Sequence, residues 1–568
     1  MSHVIVVGSG IAGLTAALRA DAEHDVTIVT KDALGDGNTA RAQGGIAGVL
    51  FDDDAVDAHI ADTIAAGAGL CNEDAVRILC SEGPERIRDL AAAGVDFDRD
   101  DTGYAKGLEA AHSYPRIVHA GGDATGRAIA QTLSQRVRDR RIPILDSTLL
   151  VDLVIEDGAV VGVDLLSPAG PTRLRADTVI IATGGCGQLY ARTTNPLGAT
   201  GDGVAAALRA GARITDAEFY QFHPTALAGS GFLISEAVRG AGAVLLDSEG
   251  RRFMLDVDPR AELAPRSVVA LALARTMAAQ GSRPVLLDAT GVPNLTTRFP
   301  TITAAVRQSG FDWTREPVPV TPAAHYWMGG IATDAEGRTN VDGLVVVGEA
   351  AHTGVHGGNR LASNSLLEGA VFAERAAAAL SQSDARQHPV FSSSASQAVE
   401  TAATDTDYAR GACTGTGCGT GAESAPGTGT DGIVGAGSDT RANTTTSRDA
   451  GEDAHSSAHI GSIRIPTVDR HDLQQLAWDS LGLERSAESL TAALDRLEAW
   501  ESTPDQGPLT RTGIETGNLL LIAQVIARQA LARTESRGAH ARLDFPNTDP
   551  AQAHSTTVDA LTQEALAC

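Results

Sequence analysis

Val4-Ile-Val-Val-Gly-Ser-Gly-Ile-Ala-Gly13 opens the chain, and its reading decides the fold. Val4 to Val7 is a continuous apolar run, as a strand buried on both faces of a parallel sheet should be. Gly8, Gly10 and Gly13 then form a G-x-G-x-x-G turn. Leu14 to Ala22 reads as a helix, and Val26-Thr-Ile-Val29 as a second strand. Glycines at that turn let backbone N–H groups approach a pyrophosphate at the helix N-terminus. The motif alone is weak evidence. Placed after a strand, opening a helix and starting the chain, it is much stronger. Dinucleotide readers often carry an acid at the end of the second strand; Thr30-Lys31-Asp32 stands there and leaves the nucleotide open.

Two later stretches look like strands of the same sheet. Asp177 to Gly185 is apolar and ends in a glycine pair, and Gly343 to Glu349 is apolar and ends in an acid. The nucleotide domain is therefore expected over residues 1–212 and 326–383, interrupted by a capping domain at 213–325. Residues 384–465 are dominated by Ser, Thr, Gly, Ala and Asp. Such a stretch buries too little apolar surface to offset its ordering entropy, which predicts a disordered linker. Helical spacing returns at His471–Trp478 and Leu519–Ala532, which predicts a helical C-terminal domain over 466–568 with a flexible tail.

The chain has 568 residues and a net charge of −26, and only Lys31 and Lys106 among its 45 basic residues are lysines. That acidity argues against nucleic acid or an anionic membrane as partner. An anion site here needs its own arginines. No apolar run approaches the roughly 20 residues of a membrane span, and no secretory signal is visible, so a cytoplasmic protein is expected. Cys71, Cys80, Cys186, Cys413, Cys418 and Cys568 are scattered, without a disulfide framework. Cys413 and Cys418 lack two further ligands at a zinc spacing, so no metal is expected.

Three stretches combine histidine, arginine and glycine beyond what a core needs. They are Gln221-Phe-His223-Pro-Thr225, Glu262-Leu-Ala-Pro-Arg266, and the run from His325 to His356-Gly-Gly-Asn-Arg360 and Ser363. A dicarboxylate taken out of water needs charge-assisted bonds in place of hydration, and arginine supplies them bidentately. Histidine adds a donor tunable near neutral pH. Singly, His223 could be a satisfied core histidine and Arg266 a surface ion-pair partner. Jointly, in a chain with a dinucleotide turn, two arginines and two histidines suit one dianion.

These motifs resemble the flavoprotein superfamily of fumarate reductase, succinate dehydrogenase and L-aspartate oxidase. The resemblance is carried by Gly8–Gly13, Asn38-Thr-Ala-Arg-Ala-Gln-Gly-Gly45, Thr193-Thr-Asn-Pro, Gly201-Asp-Gly203, Gln221–Thr225 and Glu262–Arg266. His325, Gly348-Glu349, Gly358 through Leu366 and Glu535-Ser-Arg-Gly-Ala-His540 complete it. It covers nearly the whole chain outside the linker and tail. It implies an α/β fold: a Rossmann-like FAD-binding domain interrupted by an α+β capping domain and followed by a C-terminal helical bundle.

Three positions bear on the branch. In respiratory members a histidine five residues before the Gln of A-Q-G-G bonds covalently to FAD; here that position is Asn38, so FAD is expected to be non-covalent. Leu108-Glu109-Ala-Ala-His112 resembles an aspartate oxidase stretch whose acid meets the substrate ammonium. Ser235-Glu236-Ala-Val-Arg-Gly240 keeps a hydroxyl where the family often has threonine.

The resemblance thus implies L-aspartate as substrate, hydride loss from its α-carbon to flavin, and iminoaspartate as product. Reoxidation would be by O₂ or fumarate. Quinolinate synthase would take the product, in the first step of de novo NAD synthesis. FAD would be met by Ser9, Gly10, Ile11, Ala12, Lys31, Asn38, Thr39, Ala40, Arg41, Ala42, Gln43, Gly44 and Gly45. Leu149 and Leu150 would approach the adenine, and Asp202, Glu349, Ser365 and Leu366 the ribose or flavin. His223, His325, Arg360, Ser235 and Ser363 would hold the carboxylates, with Glu236 beside them. Glu109 would orient the amine, and Arg266 would match the family's proton donor and acceptor. The rivals are a soluble fumarate reductase with non-covalent FAD and a flavin-binding scaffold subunit, which would not need the complete Arg/His set.

Overall fold

Parallel pairing builds the centre of the molecule from the strand that opens the chain. In the computed structural model, which describes residues 1–101, 103–381, 465–501, 504–505 and 509–559, the central sheet has five strands. Their order is Leu344–Val346, Thr178–Ile181, His3–Val7, Asp25–Val29 and Ile144–Leu145, all parallel. Both later strands expected from the sequence join the same sheet, Thr178–Ile181 beside His3–Val7 and Leu344–Val346 beside Thr178–Ile181. Ile144–Leu145, two residues long, extends the sheet without a readable signal of its own. The expected linker lies outside the described residues except for Ile465, as do Cys413, Cys418 and Cys568.

The first turn is as tight as its glycines imply. Gly8 has φ +113°, and a Cβ there would lie 2.2 Å from the carbonyl oxygen of Ala182. A Cβ on Gly13 would lie 2.0 Å from the carbonyl oxygen of Gly8. No side chain larger than hydrogen fits either position. Helix Ile11–Ala20 leaves this turn and packs on helix Asn364–Leu380. The sheet and these helices bury Val4, Val6, Ile28, Ile180, Leu367 and Val371 in one core.

A second sheet is antiparallel, in the order Tyr220–Leu227, Val318–Trp327, Val285–Asp288 and Val244–Leu246. Helix Arg266–Ala279 packs on it. Its strand Val318–Trp327 runs two residues past position 325. The C-terminal part contributes helices Arg470–Ser480, Ala487–Glu501 and Arg511–Ala532. Their apolar residues Leu473, Leu490, Leu519 and Ile526 share a core with Val7, Ile181 and Tyr220. Near the end of the chain, Thr557–Val558 pairs as a strand with Ile214–Thr215, so these residues are pinned. The tail past residue 559 lies outside the described residues.

Burial of histidine sets a pH limit on this fold. His59, in helix Val56–Ala66, is fully buried with Nε2 2.9 Å from the Asn364 side-chain oxygen. Burial, then the charge of neighbouring His112, presses its pKa down to about 4. His112, His119, His223, His325 and His540 are shifted in the same direction, burial being the first cause in each. Free histidine titrates near ~6.5, so the unfolded chain binds more protons below that pH. The contribution is intact above about pH 6.5 and is lost as pH falls towards the folded-state values. Glu349, raised to about 7 by burial, works oppositely: its contribution is present at low pH and lost as pH rises through about 7. Burial raises Asp152, Glu218 and Asp334 as well, but the six histidines outnumber these four carboxyls. The urea midpoint should therefore fall steadily from pH 7 to pH 5, and His59→Gln should flatten the slope. A midpoint constant over that range would contradict these buried neutral histidines.

Candidate active site

One cavity of about 450 Å³ runs from the Gly8–Ala12 turn to the second sheet. Every site residue expected from the sequence lines it except Ala40, which lies inside the short helix Asn38–Arg41 but is not part of the wall. Segments up to about 350 residues apart in sequence thus converge on one space.

At the turn, the cavity meets the start of helix Ile11–Ala20. Its first turn carries no acid and Gly10 provides no side-chain cap. Bare backbone and the positive end of a helix dipole suit a pyrophosphate. The side chains around it are mostly braces. Ser9 Oγ pairs with Thr30 Oγ1 at 2.9 Å and accepts from Gly35 N, while Thr39 Oγ1 accepts from Ile11 N at 3.0 Å. Lys31 Nζ donates to Asp202 Oδ2 at 2.5 Å and to Glu515 at 3.1 Å. Asp202 also accepts from Asn518 at 2.9 Å. Lys31 and Asp202 therefore neutralise one another across the wall. Further along, Asn38 Nδ2 lies 3.4 Å from Glu349, and the buried Gln43 carbonyl oxygen has no partner. An orphaned acceptor in a cavity wall is a place for a ligand donor. These residues fit a dinucleotide.

At the other end, strand Tyr220–Leu227 presents Gln221 and His223 to the site. Phe222 between them packs on Tyr190, with ring centroids 5.2 Å apart. Gln221 Oε1 accepts from Arg266 Nη1 at 3.3 Å and from Arg360 Nη2 at 3.1 Å. Its Nε2 donates to the Arg360 carbonyl at 2.8 Å and to Asn359 at 3.1 Å. Glu236 Oε2 accepts from Arg266 Nε at 2.5 Å, and Arg239 lies behind at 3.7 Å from the other Glu236 oxygen. Burial raises Glu236, but the guanidiniums of Arg266 and Arg239 outweigh it and hold its carboxyl below the usual range. Burial and then Arg266 lower Arg360 to about 10, which leaves it charged at neutral pH. The Arg360 guanidinium lies 4.5 Å over the Tyr326 ring, whose hydroxyl donates to Glu368 at 2.7 Å.

His223 and His325 lie edge to face with centroids 5.1 Å apart. Burial, then the charge of Arg266, holds both well below the ordinary histidine value, so both are neutral. Thr225 N donates to His223 Nδ1 at 3.2 Å. That bond assigns the ring proton to Nε2, which is buried and has no partner. His223 is a neutral donor aimed at nothing in the protein. Arg360 Nε is also buried without a partner. Arg239 Nε and Nη2 are orphaned as well, and these four donors among three buried guanidiniums define a site for an anion.

Of two expected carboxylate contacts, Ser363 donates to Glu109, while Ser235 accepts in a cap and keeps its O–H for a carboxylate. Ser363 Oγ donates to Glu109 Oε2 at 2.8 Å, because its backbone, at φ +63°, sets it facing that acid. Ser235 Oγ caps its own short helix by accepting from Ala237 N at 3.3 Å. Glu236 holds Arg266, and both its neighbours are guanidiniums. Gln221, Arg239 and Tyr326 were not among the expected residues. A signal for Gln221 existed: two residues before His223 in a strand, it shares that residue's face.

The fold and the site define a flavoprotein oxidoreductase with an anion pocket at one end of its dinucleotide cavity. The family described as FAD binding domain matches residues 3–366, and that described as fumarate reductase flavoprotein C-term matches residues 470–566. L-Aspartate oxidase of Streptomyces coelicolor is 43 % identical over 96 % of this chain and 89 % of its own. L-Aspartate oxidase of Mycobacterium tuberculosis is 40 % identical over 98 % and 95 %. Among solved structures, a quinol fumarate reductase chain of E. coli matches at 27 % identity with a TM-score of 0.78, covering 97 % of this chain and 93 % of that one. The chain belongs to the L-aspartate oxidase family of FAD-dependent flavoproteins.

Gln221→Leu should leave two buried guanidiniums without their shared acceptor. Hydrogen bonds to charged groups contribute about 1.5–3 kcal/mol, so the dissociation constant of succinate should rise about 10- to 100-fold. Flavin absorbance during titration reads this directly. Unchanged affinity would mean that the arginines hold their places without the amide.

Proposed function

We propose that this protein is an L-aspartate oxidase that converts L-aspartate to iminoaspartate with non-covalent FAD. The observation that carries the reading is Glu109. It is a buried acid, 2 % exposed, in the cavity wall near Arg266 and Arg360, and unlike Glu236, which pairs with Arg266, it has no cation partner among the described residues. Fumarate and succinate carry no amine, and a carboxylate in their path would only repel them. An α-amino dicarboxylate uses both features: two carboxylates for the guanidiniums and imidazoles, one ammonium for Glu109.

The residues act by binding, orientation and charge. Arg360 and Arg266 pair with the substrate carboxylates, and the His223 Nε2–H donates to one of them. His325 closes the same end. Ser363 holds Glu109 rather than the substrate, and Glu236 holds Arg266. Arg266, with Glu236 on its Nε, is the group that exchanges a proton with substrate or product. Ser9 to Ala12, Lys31, Asn38, Thr39, Arg41 to Gly45, Leu149, Leu150, Asp202, Glu349, Ser365 and Leu366 form the FAD seat. Asn38 offers no ring nitrogen for a covalent link to FAD. When bound, FAD supplies the two-electron acceptor that the side chains lack. O₂ or fumarate would be the final electron acceptor. Iminoaspartate is passed to quinolinate synthase, in the first step of de novo NAD synthesis, in the cytoplasm. No helix among the described residues is long and apolar enough to cross a membrane.

A soluble fumarate reductase would share every carboxylate ligand but not Glu109. Glu109→Gln should lower kcat/KM for L-aspartate about 10- to 100-fold, the worth of a charge-assisted bond, and change fumarate reduction by less than about threefold. Arg360→Leu should depress both. Equal losses in Glu109→Gln would rule out Glu109 as the amine's partner.

A further inference from the structure

Glu109 is a buried acid that stays apart from the cations around it. Among the described residues no cation lies within ion-pair distance of it; its one side-chain partner is Ser363 Oγ. Yet its charge is felt by Arg360 and Arg239. A carboxylate that left Ser363 would no longer face a substrate amine, so something must hold Glu109 where it is.

We infer that His112 and Arg116 are positioning residues that fix Glu109 where a substrate amine would meet it and so make the site selective for an amine-bearing dicarboxylate. The inference rests on Glu109 being the amine's partner. The geometry is a closed ring. The backbone turns between Glu109 and His112, with His112 N donating to the Glu109 carbonyl at 3.3 Å and Ala111 at φ +67°. His112 Nε2 donates to the carbonyl of Ala362 at 2.9 Å. Ala362 is followed by Ser363, at φ +63°, which donates back to Glu109. Two residues outside their preferred backbone region persist only where the surroundings over-determine them. Both of these lie in this ring.

Arg116 fixes the ring to the fold. Its side chain is fully buried, with Nε and Nη2 each 3.0 Å from Asp54 and Nη1 2.5 Å from Asp62. The same Nη1 donates to His112 Nδ1 at 3.1 Å. An Nδ1 that accepts and an Nε2 that donates specify one neutral tautomer, so the imidazole cannot flip without losing both bonds. Burial, the first cause, also keeps His112 below its ordinary value. Asp62 accepts from Ser113 N and Oγ, both at 2.8 Å, which ties the turn to helix Val56–Ala66. None of His112, Arg116, Asp54 and Asp62 lines the cavity. Their effect on substrate passes through Glu109.

The test compares substrates with and without an amine in the FAD-loaded enzyme. His112→Phe keeps the ring's bulk and removes both hydrogen bonds. The expected result is a KM for L-aspartate raised tenfold or more, with KM for fumarate and the inhibition constant of succinate within about twofold. Arg116→Lys, which keeps the charge but loses the fork, should give the same split and serves if His112→Phe does not fold. Equal losses on aspartate and fumarate would overturn the proposal, because they mark a merely structural role. So would unchanged kinetics on both. If Glu109→Gln separates the two substrates and neither positioning variant does, this proposal fails while the aspartate reading stands. If Glu109→Gln does not separate them either, both fail.

Discussion

Two guanidiniums share one neutral oxygen at the centre of this protein. Gln221 Oε1 accepts from Arg266 and Arg360 together, in a place where both are buried. Repulsion between like charges grows as the effective dielectric falls, so this pairing is unfavourable until an anion arrives. Much of the local structure makes it tolerable. The Gln221 amide is itself held by the backbone it serves, through the Arg360 carbonyl. Glu236 neutralises one guanidinium, and the Tyr326 ring lies under the other. The chain is strongly acidic overall, yet here it concentrates positive charge. That contrast locates the substrate end more securely than any single residue does.

The same constraint explains why the two histidines are neutral. A third and fourth positive charge beside Arg266 would cost more than the arginines already do, and burial removes the water that would stabilise them. Neutral rings still donate hydrogen bonds. His223 therefore contributes direction without charge, its tautomer fixed by a backbone N–H. Glu109 fits the same account with opposite sign. It is a buried acid with no cation partner among the described residues, held only by Ser363, and the proposed function gives it the substrate's own cation.

The sequence made the frame readable because strongly patterned segments carry it. A four-residue apolar run, three glycines and a helix place the first strand and its turn without further information. The antiparallel second sheet was expected only as an insert, since its strands are found by their pairing rather than by their own pattern. Site residues were legible where charge or ring chemistry has no bland use in a core. Gln221 was read as part of its motif but given no role, because its role exists only once Arg266 and Arg360, 45 and 139 positions away, converge on it. Ser363 was expected on a substrate carboxylate from the family resemblance, and here its hydroxyl donates to Glu109. Its left-handed backbone, which turns it to Glu109, has no signature in a serine.

The two ends of the cavity solve different problems, and their charge balance shows it. Around Lys31 the wall is complete in itself. Lys31, Arg470 and Arg511 are matched by Asp202, Glu515 and Asp32, with Glu515 in contact with all three cations. Three of these six residues lie in the C-terminal helices, so the lining residues Lys31 and Asp32 are braced from behind by chain nearly 500 residues from the glycine turn. A wall whose charges are already paired neither attracts nor repels a long-resident group by net charge; it can only shape the space, and the backbone at Gly8–Ala12 is left to meet the phosphates. Around Gln221 the wall is incomplete, with donors on His223 and Arg360 that no protein atom satisfies. An exchanging ligand needs that incompleteness, because the energy of filling it is the energy that binds. A resident cofactor at the balanced end and a transient dianion at the unbalanced end follow from one rule: buried charge is paired within the protein unless the ligand itself is the partner.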